Sequence, residues 1–337
     1  MNIKVIGIDL AKNIFQIHGV DEKGKTVLTK RISRSQLASF IAQLAPCLIG
    51  MEACSSSNYW ARKFQSYGHE VKLMAPQYVK PYVKTNKNDA NDAAGICEAV
   101  SRLSMRFVPI KSIEQQDIQC LHRIRSGLIQ ERTALTNQIR GLLAEYGIVV
   151  SQGITKLKKQ LPEILADTDN ELSLLIRSTL TELNTYLTQK NEQIDNMTIK
   201  IMEVCKQSEV CQRLVKVEGI GPMIATAFVA AVGDAKNFKN GRHLAAWLGL
   251  VPRQASSGNK RVLLGISKRG DRYLRSLLIQ GASAVIRCIK GKTDARSLWL
   301  EQLIKRSNKF KANVALANKN ARILWALMAH GTEYRGA

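Results

Sequence analysis

The chain is short of acids. It carries 27 Asp and Glu against 50 Lys and Arg, a formal net charge of +23 over 337 residues. An excess of that size disfavours an acidic small molecule as ligand and favours a phosphate-rich polymer. The imbalance is uneven: residues 258–311 hold 14 Lys/Arg and 3 Asp/Glu, residues 1–106 hold 15 and 8. Paired cysteines are also missing. Cys47, Cys54, Cys97, Cys120, Cys205, Cys211 and Cys288 stand singly, with no C-x-x-C. That argues against a disulfide framework or a zinc site, and for a reducing cytosol. Long apolar runs are absent. The longest, Ile224–Val232, is about half of a membrane span. Asp9 and Lys12 break the N-terminal apolar stretch too early for a signal peptide. There is no internal repeat, low-complexity tract or acidic tail. With 45% hydrophobic residues the chain can nonetheless bury cores, and its length suits two domains with a helical connection.

The hydrophobic pattern changes along the chain. Residues 1–106 read as α/β. Val5–Asp9 and Ile14–Val20 are neighbouring strands and Thr26–Ile32 a third, with Asp21–Lys25 as a polar turn. Ser33–Leu44 is helical, Cys47–Met51 is a strand apolar enough to be buried on both faces, and Ser57–Tyr67 is a helix stopped by Gly68. Val71–Met74 is a strand and Asn88–Leu103 a helix. Residues 112–204 hold two long helical patterns. In the first, Leu121, Leu128, Leu135 and Leu142 recur every seven residues. The second runs from Ile176 through Leu180, Leu187, Ile194 and Ile201 to Val204, a heptad-like spacing. Gly147, Gly153 and Pro162 mark the break between them. An antiparallel helical hairpin or a dimeric coiled coil fits, and so do two ordinary core helices. Residues 207–337 read as mainly helical and basic.

Among so few acids, four are placed to matter. Asp9 and Glu52 each end an apolar strand, Val5-Ile6-Gly7-Ile8-Asp9 and Cys47-Leu48-Ile49-Gly50-Met51-Glu52. Asp89 and Asp92 open a helix at i, i+3 spacing. Mg²⁺ takes hard oxygen ligands and keeps waters and phosphate oxygens in its shell. Two such ions can activate a nucleophile and stabilise a leaving oxygen on phosphate. Four carboxylates brought close would repel without a cation. Asp89 and Asp92 by themselves could simply complement a helix dipole; the joint pattern favours metal.

Three further segments suit a polyanion. Tyr78-Val79-Lys80-Pro81-Tyr82-Val83-Lys84-Thr85-Asn86-Lys87 alternates cations with aromatics beside Asp89, so Lys80, Lys84 and Lys87 are candidate phosphate contacts, unless the loop is only solvated. Gly219-Ile220-Gly221 opens an apolar helix in the manner of a helix-hairpin-helix element, where backbone N–H groups can meet phosphate; it is equally a tight turn between packed helices. In Gly249–Arg261 a Ser-Ser-Gly turn lies among Arg253, Lys260 and Arg261, with Lys268, Arg269, Arg272 and Arg275 beyond. A serine ringed by cations could attack phosphate. Composition does not select it, and no His is evident as its base.

Taken together, these pieces resemble a known family. Gly7-Ile8-Asp9-Leu10-Ala11-Lys12, Met51-Glu52-Ala53, Asn88-Asp89-Ala90-Asn91-Asp92-Ala93, Gly219-Ile220-Gly221, Leu248-Gly249-Leu250-Val251-Pro252-Arg253 and Ser257-Gly258 are similar, in order and spacing, to the DEDD transposases of bacterial insertion sequences, relatives of the Piv DNA invertase. The resemblance implies an α/β RNase H-like (RuvC-like) domain over 1–108, a helical coiled-coil region over 109–206 and a mainly α transposase domain over 207–337. It implies that Asp9, Glu52, Asp89 and Asp92 bind two Mg²⁺ ions, with Mn²⁺ as the alternative, and that Ser257 forms a phosphoserine link to DNA. It further implies donor and target DNA as substrates, a non-coding bridge RNA as guide, and a homo-oligomer from dimer to tetramer, in the bacterial cytoplasm at the nucleoid. Guide-directed choice of sequence agrees with a chain whose cations look like phosphate contacts. The chain departs from the family pattern in two places. Ser256 directly precedes Ser257, and Ala-Cys-Ser-Ser follows Glu52 where relatives often have Ala-Thr-Gly. Two rivals remain: a RuvC-like nuclease or junction resolvase that hydrolyses without the serine, and a non-catalytic nucleic-acid scaffold with structural acids.

Overall fold

The computed structural model describes residues 2–83, 88–258, 260 and 262–335. They divide into two compact units, Met1–Ser112 and Ile113–Ala337.

The first unit starts with a meander of β1 (Val5–Asp9), β2 (Ile14–Val20) and β3 (Thr26–Ser33), paired antiparallel. Its second turn follows from side-chain chemistry. The Asp21 carboxylate accepts from the backbone N–H groups of Lys23 and Lys25, both at 2.9 Å, and Gly24 adopts φ +75°. The chain continues through α1 (Arg34–Ala42) into β4 (Leu48–Glu52), then through α2 (Ser57–Gln65) into β5 (Glu70–Met74). A short α3 (Pro76–Val79) precedes α4 (Asp89–Val100), and β6 (Phe107–Val108) closes the sheet. The order is β3-β2-β1-β4-β5-β6, with β1, β4 and β5 parallel and β6 antiparallel to β5. These elements match the sequence expectation to within a few residues. The additions are α3, where the sequence suggested a loop from Tyr78 onward, and β6, whose two residues are too few to show an alternation.

Alternation along β1 and β4 sets the two faces of the sheet. Ile6, Ile8, Ile49 and Met51 join Phe15, Ile17, Leu37, Ile41, Trp60 and Phe64 in one core. Gly7 and Gly50 point the other way, under α4. A Cβ on Gly7 would stand 2.3 Å from the Ala93 carbonyl oxygen and 2.4 Å from the Cys97 nitrogen. One on Gly50 would stand 2.7 Å from the Val100 side chain. The register pairs Gly7 with Gly50 and Ile8 with Met51, so the two glycines form a flat floor on which α4 lies.

The second unit is helical. Its α5 (Ile113–Ala144) and α7 (Leu174–Gln207) run antiparallel: the Arg125 guanidinium donates to Thr198 Oγ1 at 2.7 Å, and one heptad along Arg132 donates to Asn191 Oδ1 at 3.2 Å. On α7 the expected heptad Leu180, Leu187, Ile194 and Ile201 is buried. On α5 Ile139, expected with Ile124 and Tyr146 on the alternate seam, is buried with Leu143, while the heptad residues Leu135 and Leu142 and also Tyr146 pack half-buried against the same core; Ile124 is exposed, and His122 and Thr136 are buried as well. His122 reaches Tyr273 Oη at 2.9 Å through Nδ1 and Thr226 Oγ1 at 2.9 Å through Nε2. Thr226 donates to the Pro222 carbonyl at 2.7 Å, so its oxygen accepts from Nε2–H and Nδ1 accepts from Tyr273. Burial, aided by Arg125, pushes the His122 pKa down to about 4. The expected break is present at Gly147 and Gly153, both outside helix with φ of +73° and +118°, but it also holds a third helix, α6 (Ile154–Ala166), which accommodates Pro162 internally and packs Leu157 and Leu161 between the long pair.

Beyond α7, the core collects around the almost wholly apolar α9 (Pro222–Val232). It includes residues from α8 (Glu209–Leu214), α10 (Gly241–Trp247), α11 (Arg272–Arg287), α12 (Ala295–Arg306) and α13 (Lys309–His330). Between α10 and α11 the chain forms a hairpin, β7 (Pro252–Gln254) with β8 (Leu263–Ile266). The sequence suggested only a Ser-Ser-Gly turn there and no strands, because three- and four-residue strands that are exposed show no alternation. No described helix is long and apolar enough to cross a membrane.

Candidate functional site

Four acids gather at one end of the sheet. Asp9 is the last residue of β1 and Glu52 the last of β4, and both lie on the glycine side, facing α4. The side chain of Asn88 caps α4 by accepting from the Asn91 N–H at 2.8 Å, which places Asp89 and Asp92 in its first turn. One carboxylate oxygen from each of Asp9, Asp89 and Asp92 lies within 4.8 Å of the other two. Glu52 is not among these three; it ends the adjacent strand. The charges of Glu52 and Asp9 both reach Cys54, whose thiol pKa is raised by burial and then by those two carboxylates. The α4 N-terminus favours nearby negative charge but offsets only part of the mutual repulsion. A set of hard oxygen donors, partly exposed and open to waters and phosphate oxygens, fits Mg²⁺ or Mn²⁺ rather than a thiophilic ion.

The close approach of α4 depends on Gly7. Replacing Gly7 with Ala would push a methyl into backbone atoms, which cannot swing away as a side chain could. The expected cost is about 1–3 kcal/mol, at the upper end of the overpacking range, together with separation of Asp89 and Asp92 from Asp9. Gly141→Ala, with nothing within 4 Å of its Cβ, should be neutral or stabilising by up to about 1 kcal/mol. Denaturant unfolding of the full chain, with hydrogen exchange read on β1 and α4, distinguishes the two. The floor leaves a trace in the sequence as two matching patterns, Val5-x-Gly7-x-Asp9 and Leu48-x-Gly50-x-Glu52, whose side-by-side pairing only the strand register shows.

Ser257 occupies the tip of the β7–β8 hairpin. Its N–H donates to the Lys260 carbonyl at 3.3 Å and its carbonyl accepts from Lys260 at 3.1 Å, closing a turn in which Gly258 has φ +54°. Ser257 is exposed. Ser256 differs, since its hydroxyl oxygen accepts from the Gln254 amide at 3.0 Å. The base of the hairpin is rigid: a Cβ on Gly249 would lie 2.2 Å from the Arg269 carbonyl, and one on Gly270 2.0 Å from the Trp247 carbonyl.

The candidate phosphate contacts fall into several groups. Lys80, Arg253, Lys260, Lys268, Arg269 and Arg272 are exposed. Lys84, Lys87 and Arg261 lie outside the described residues. Arg275 is buried, and its guanidinium donates to the carbonyls of Leu248 at 3.0 Å and Arg269 at 2.9 Å. The structure therefore corrects its expected place among the surface cations: it clamps the two loops under the hairpin. Gly219 has φ +83° and packs on Gly281 of α11, where a Cβ would lie 2.8 Å from the Gly281 carbonyl. Gly221, the α9 N-cap, is exposed with nothing within 4 Å of its Cβ. The turn thus serves packing at Gly219 and leaves room for a ligand at Gly221.

Comparisons with known proteins cover both regions. The chain matches one family model described as "Transposase", the DEDD type of IS110 elements, over residues 6–148, and another described as "Transposase IS116/IS110/IS902 family" over residues 211–298. It is 50% identical to a Pseudomonas aeruginosa protein named "Probable family 20 transposase", over 99% of both chains. It is 49% identical to the transposase for insertion sequence element IS1111A of Coxiella burnetii, over 99% of this chain and 92% of that one. It is 40% identical to the transposase for element IS1328 of Yersinia enterocolitica, over 99% of both.

Proposed function

This chain belongs to the IS116/IS110/IS902 family of insertion-sequence transposases, and from that premise we propose that it cuts and exchanges DNA strands with a divalent metal held by Asp9, Glu52, Asp89 and Asp92 and with Ser257 as nucleophile. The observation that carries this reading is the convergence of Asp9, Asp89 and Asp92 at the end of the glycine floor. Bound there, Mg²⁺ or Mn²⁺ supplies positive charge against the phosphate oxygens and polarises the phosphorus. The four carboxylates would hold it, and its charge would relieve their mutual repulsion.

Ser257 Oγ attacks the scissile phosphorus. The Oγ–P bond forms, the bond from phosphorus to the departing strand breaks, and that strand leaves as a hydroxyl after taking up a proton. A hydroxyl of the other duplex then attacks the phosphoserine, which restores Ser257 and closes the exchanged strand. The number of phosphodiester bonds is conserved, so no external energy source is needed. Both serines are exposed, and the bond that engages Ser256 supports Ser257 as the attacking group. Arg253, Lys260, Lys268, Arg269 and Arg272 hold the backbone beside it, with Lys80 near the acids. Sequence choice falls to a non-coding bridge RNA pairing with donor and target DNA, and the assembly is a homo-oligomer, dimer to tetramer, in the bacterial cytoplasm. The relation to the Piv invertase, a RuvC-like ancestry for the first unit and a coiled-coil role for α5 and α7 complete the reading.

The acidic cluster needs no residue of the second unit, which favours metal-dependent hydrolysis as the second reading. Metal removal tests the first step common to both. With purified protein, guide RNA and donor and target duplexes, strand exchange should vanish in EDTA and return with Mg²⁺ or Mn²⁺, while DNA binding persists. Exchange that continues in EDTA would contradict the metal assignment.

A further inference from the structure

The acids and the serine hairpin leave unused a groove of about 710 Å³ on the C-terminal helices. Its walls carry Arg242 of α10, Trp299 of α12, and Asn318, Lys319, Arg322 and Trp325 of α13. Among the described residues no acid lines it, and none of its three cations makes an ion pair. The groove is built by close packing. Gly241 has no side chain where a Cβ would meet the Arg322 backbone at 3.1 Å, so α10 sits directly against α13. The Trp325 indole N–H donates to the Ala235 carbonyl at 3.0 Å, which fixes that ring. Lys319 Nζ lies 4.9 Å from the centroid of Trp299. Asn318 donates to the Leu250 carbonyl at 3.2 Å, tying the wall to the segment that enters β7.

We propose that this groove binds a single-stranded segment of nucleic acid, with Arg242, Lys319 and Arg322 on its phosphates and Trp299 stacked on a base. Unpaired cations beside aromatic faces, without an acid, are the chemistry that tracks a phosphodiester chain with unstacked bases. A duplex presents its phosphates but hides its base faces, so Trp299 would be idle against it. Lys319 and Arg322 lie one turn apart on α13, roughly 4.5 Å along the helix axis by its rise, and Arg242 stands on α10, which packs against α13 at Gly241 and Arg322. In the free protein Lys319 covers Trp299. On binding it moves to phosphate and exposes the ring, exchanging a cation–π contact for the stronger base stack.

The inference extends the transposase reading by adding a binding site, and its test reads binding alone. Failure here leaves the acids and Ser257 standing, and failure of strand chemistry leaves the groove standing. The full-length triple variant Arg242→Gln, Lys319→Gln, Arg322→Gln is compared with wild type and with a control triple, Lys156→Gln, Lys158→Gln, Lys159→Gln, exposed on α6. The probes are fluorescent oligomers of about 12 nucleotides, a length within common site sizes: single-stranded DNA, RNA of the same sequence, and the DNA duplex. The groove variant should bind the single strands about tenfold or more weakly at near-physiological salt. Its log K against log salt should be shallower by about two, from three single-strand phosphate contacts. Trp299→Leu should weaken single-strand binding without changing that slope. A loss confined to the RNA arm or to the DNA arm supports the groove and names the strand it holds. Unchanged affinity and slope, an equal loss in the control, or a loss as great for duplex as for single strands would overturn the proposal.

Discussion

Asp9→Asn should lower strand exchange by about a thousandfold or more, because a divalent metal supplies several kcal/mol of transition-state stabilisation and each 1.4 kcal/mol is tenfold. The substitution keeps the shape of the side chain and removes its charge. Asp9 sits at the end of β1 in the three-carboxylate cluster, so its loss should remove metal affinity while leaving the sheet intact. DNA binding, assigned above by proposal to the cations, should persist. Stability adds a second readout. Mn²⁺ should raise the unfolding temperature of the wild type, since it binds the folded state only, and should not raise that of Asp9→Asn. Without metal, Asp89→Asn should be as stable as wild type or more so, because one of several repelling charges is gone. A scaffold with purely structural acids predicts the reverse on both counts: function kept and stability lost.

The second large effect is expected at the hairpin. Ser257→Ala should abolish the covalent protein–DNA adduct and reduce exchange by on the order of 10⁵-fold, the scale on which removal of an enzymic nucleophile acts. Ser256→Ala should change exchange less than about tenfold, since that hydroxyl only accepts from Gln254 and such a bond is worth about 1 kcal/mol. The comparison separates neighbours that the sequence could not. If the Ser257→Ala protein still cleaved DNA at the wild-type rate, hydrolysis by the metal site alone would be the better account.

Much of the first unit was legible because its strands and helices carry strong periods and its turns carry Asp, Asn and Gly where φ or a cap requires them. The acids were legible because two of them end apolar strands in a basic chain. The glycine floor was harder to see. A glycine in a strand reads as a weak point until its neighbour across the sheet is known, and only the Gly7–Gly50 register shows that both admit α4. The apolar seam of α5 was legible at Leu135, Ile139 and Leu142, but the burial of His122 and Thr136 was not, because a hydrophobic count ignores side chains buried in bonded polar contacts. Arg275 read as one more surface cation for the same reason: a charge is assumed solvated until its partners, here two carbonyls, are seen. The hairpin bearing Ser257 is held by backbone bonds and glycine contacts, so no side-chain alternation announced it.

The measurement closest to the central claim is the identity of the residue that joins to DNA. Full-length protein would be incubated with guide RNA, donor duplex and Mg²⁺, quenched, digested and mapped by mass spectrometry. The account predicts a DNA phosphate on Ser257 Oγ, absent in EDTA and absent from Asp9→Asn. A DNA link at Ser256 or any other residue, or strand cleavage in Mg²⁺ with no link to protein at all, would contradict it.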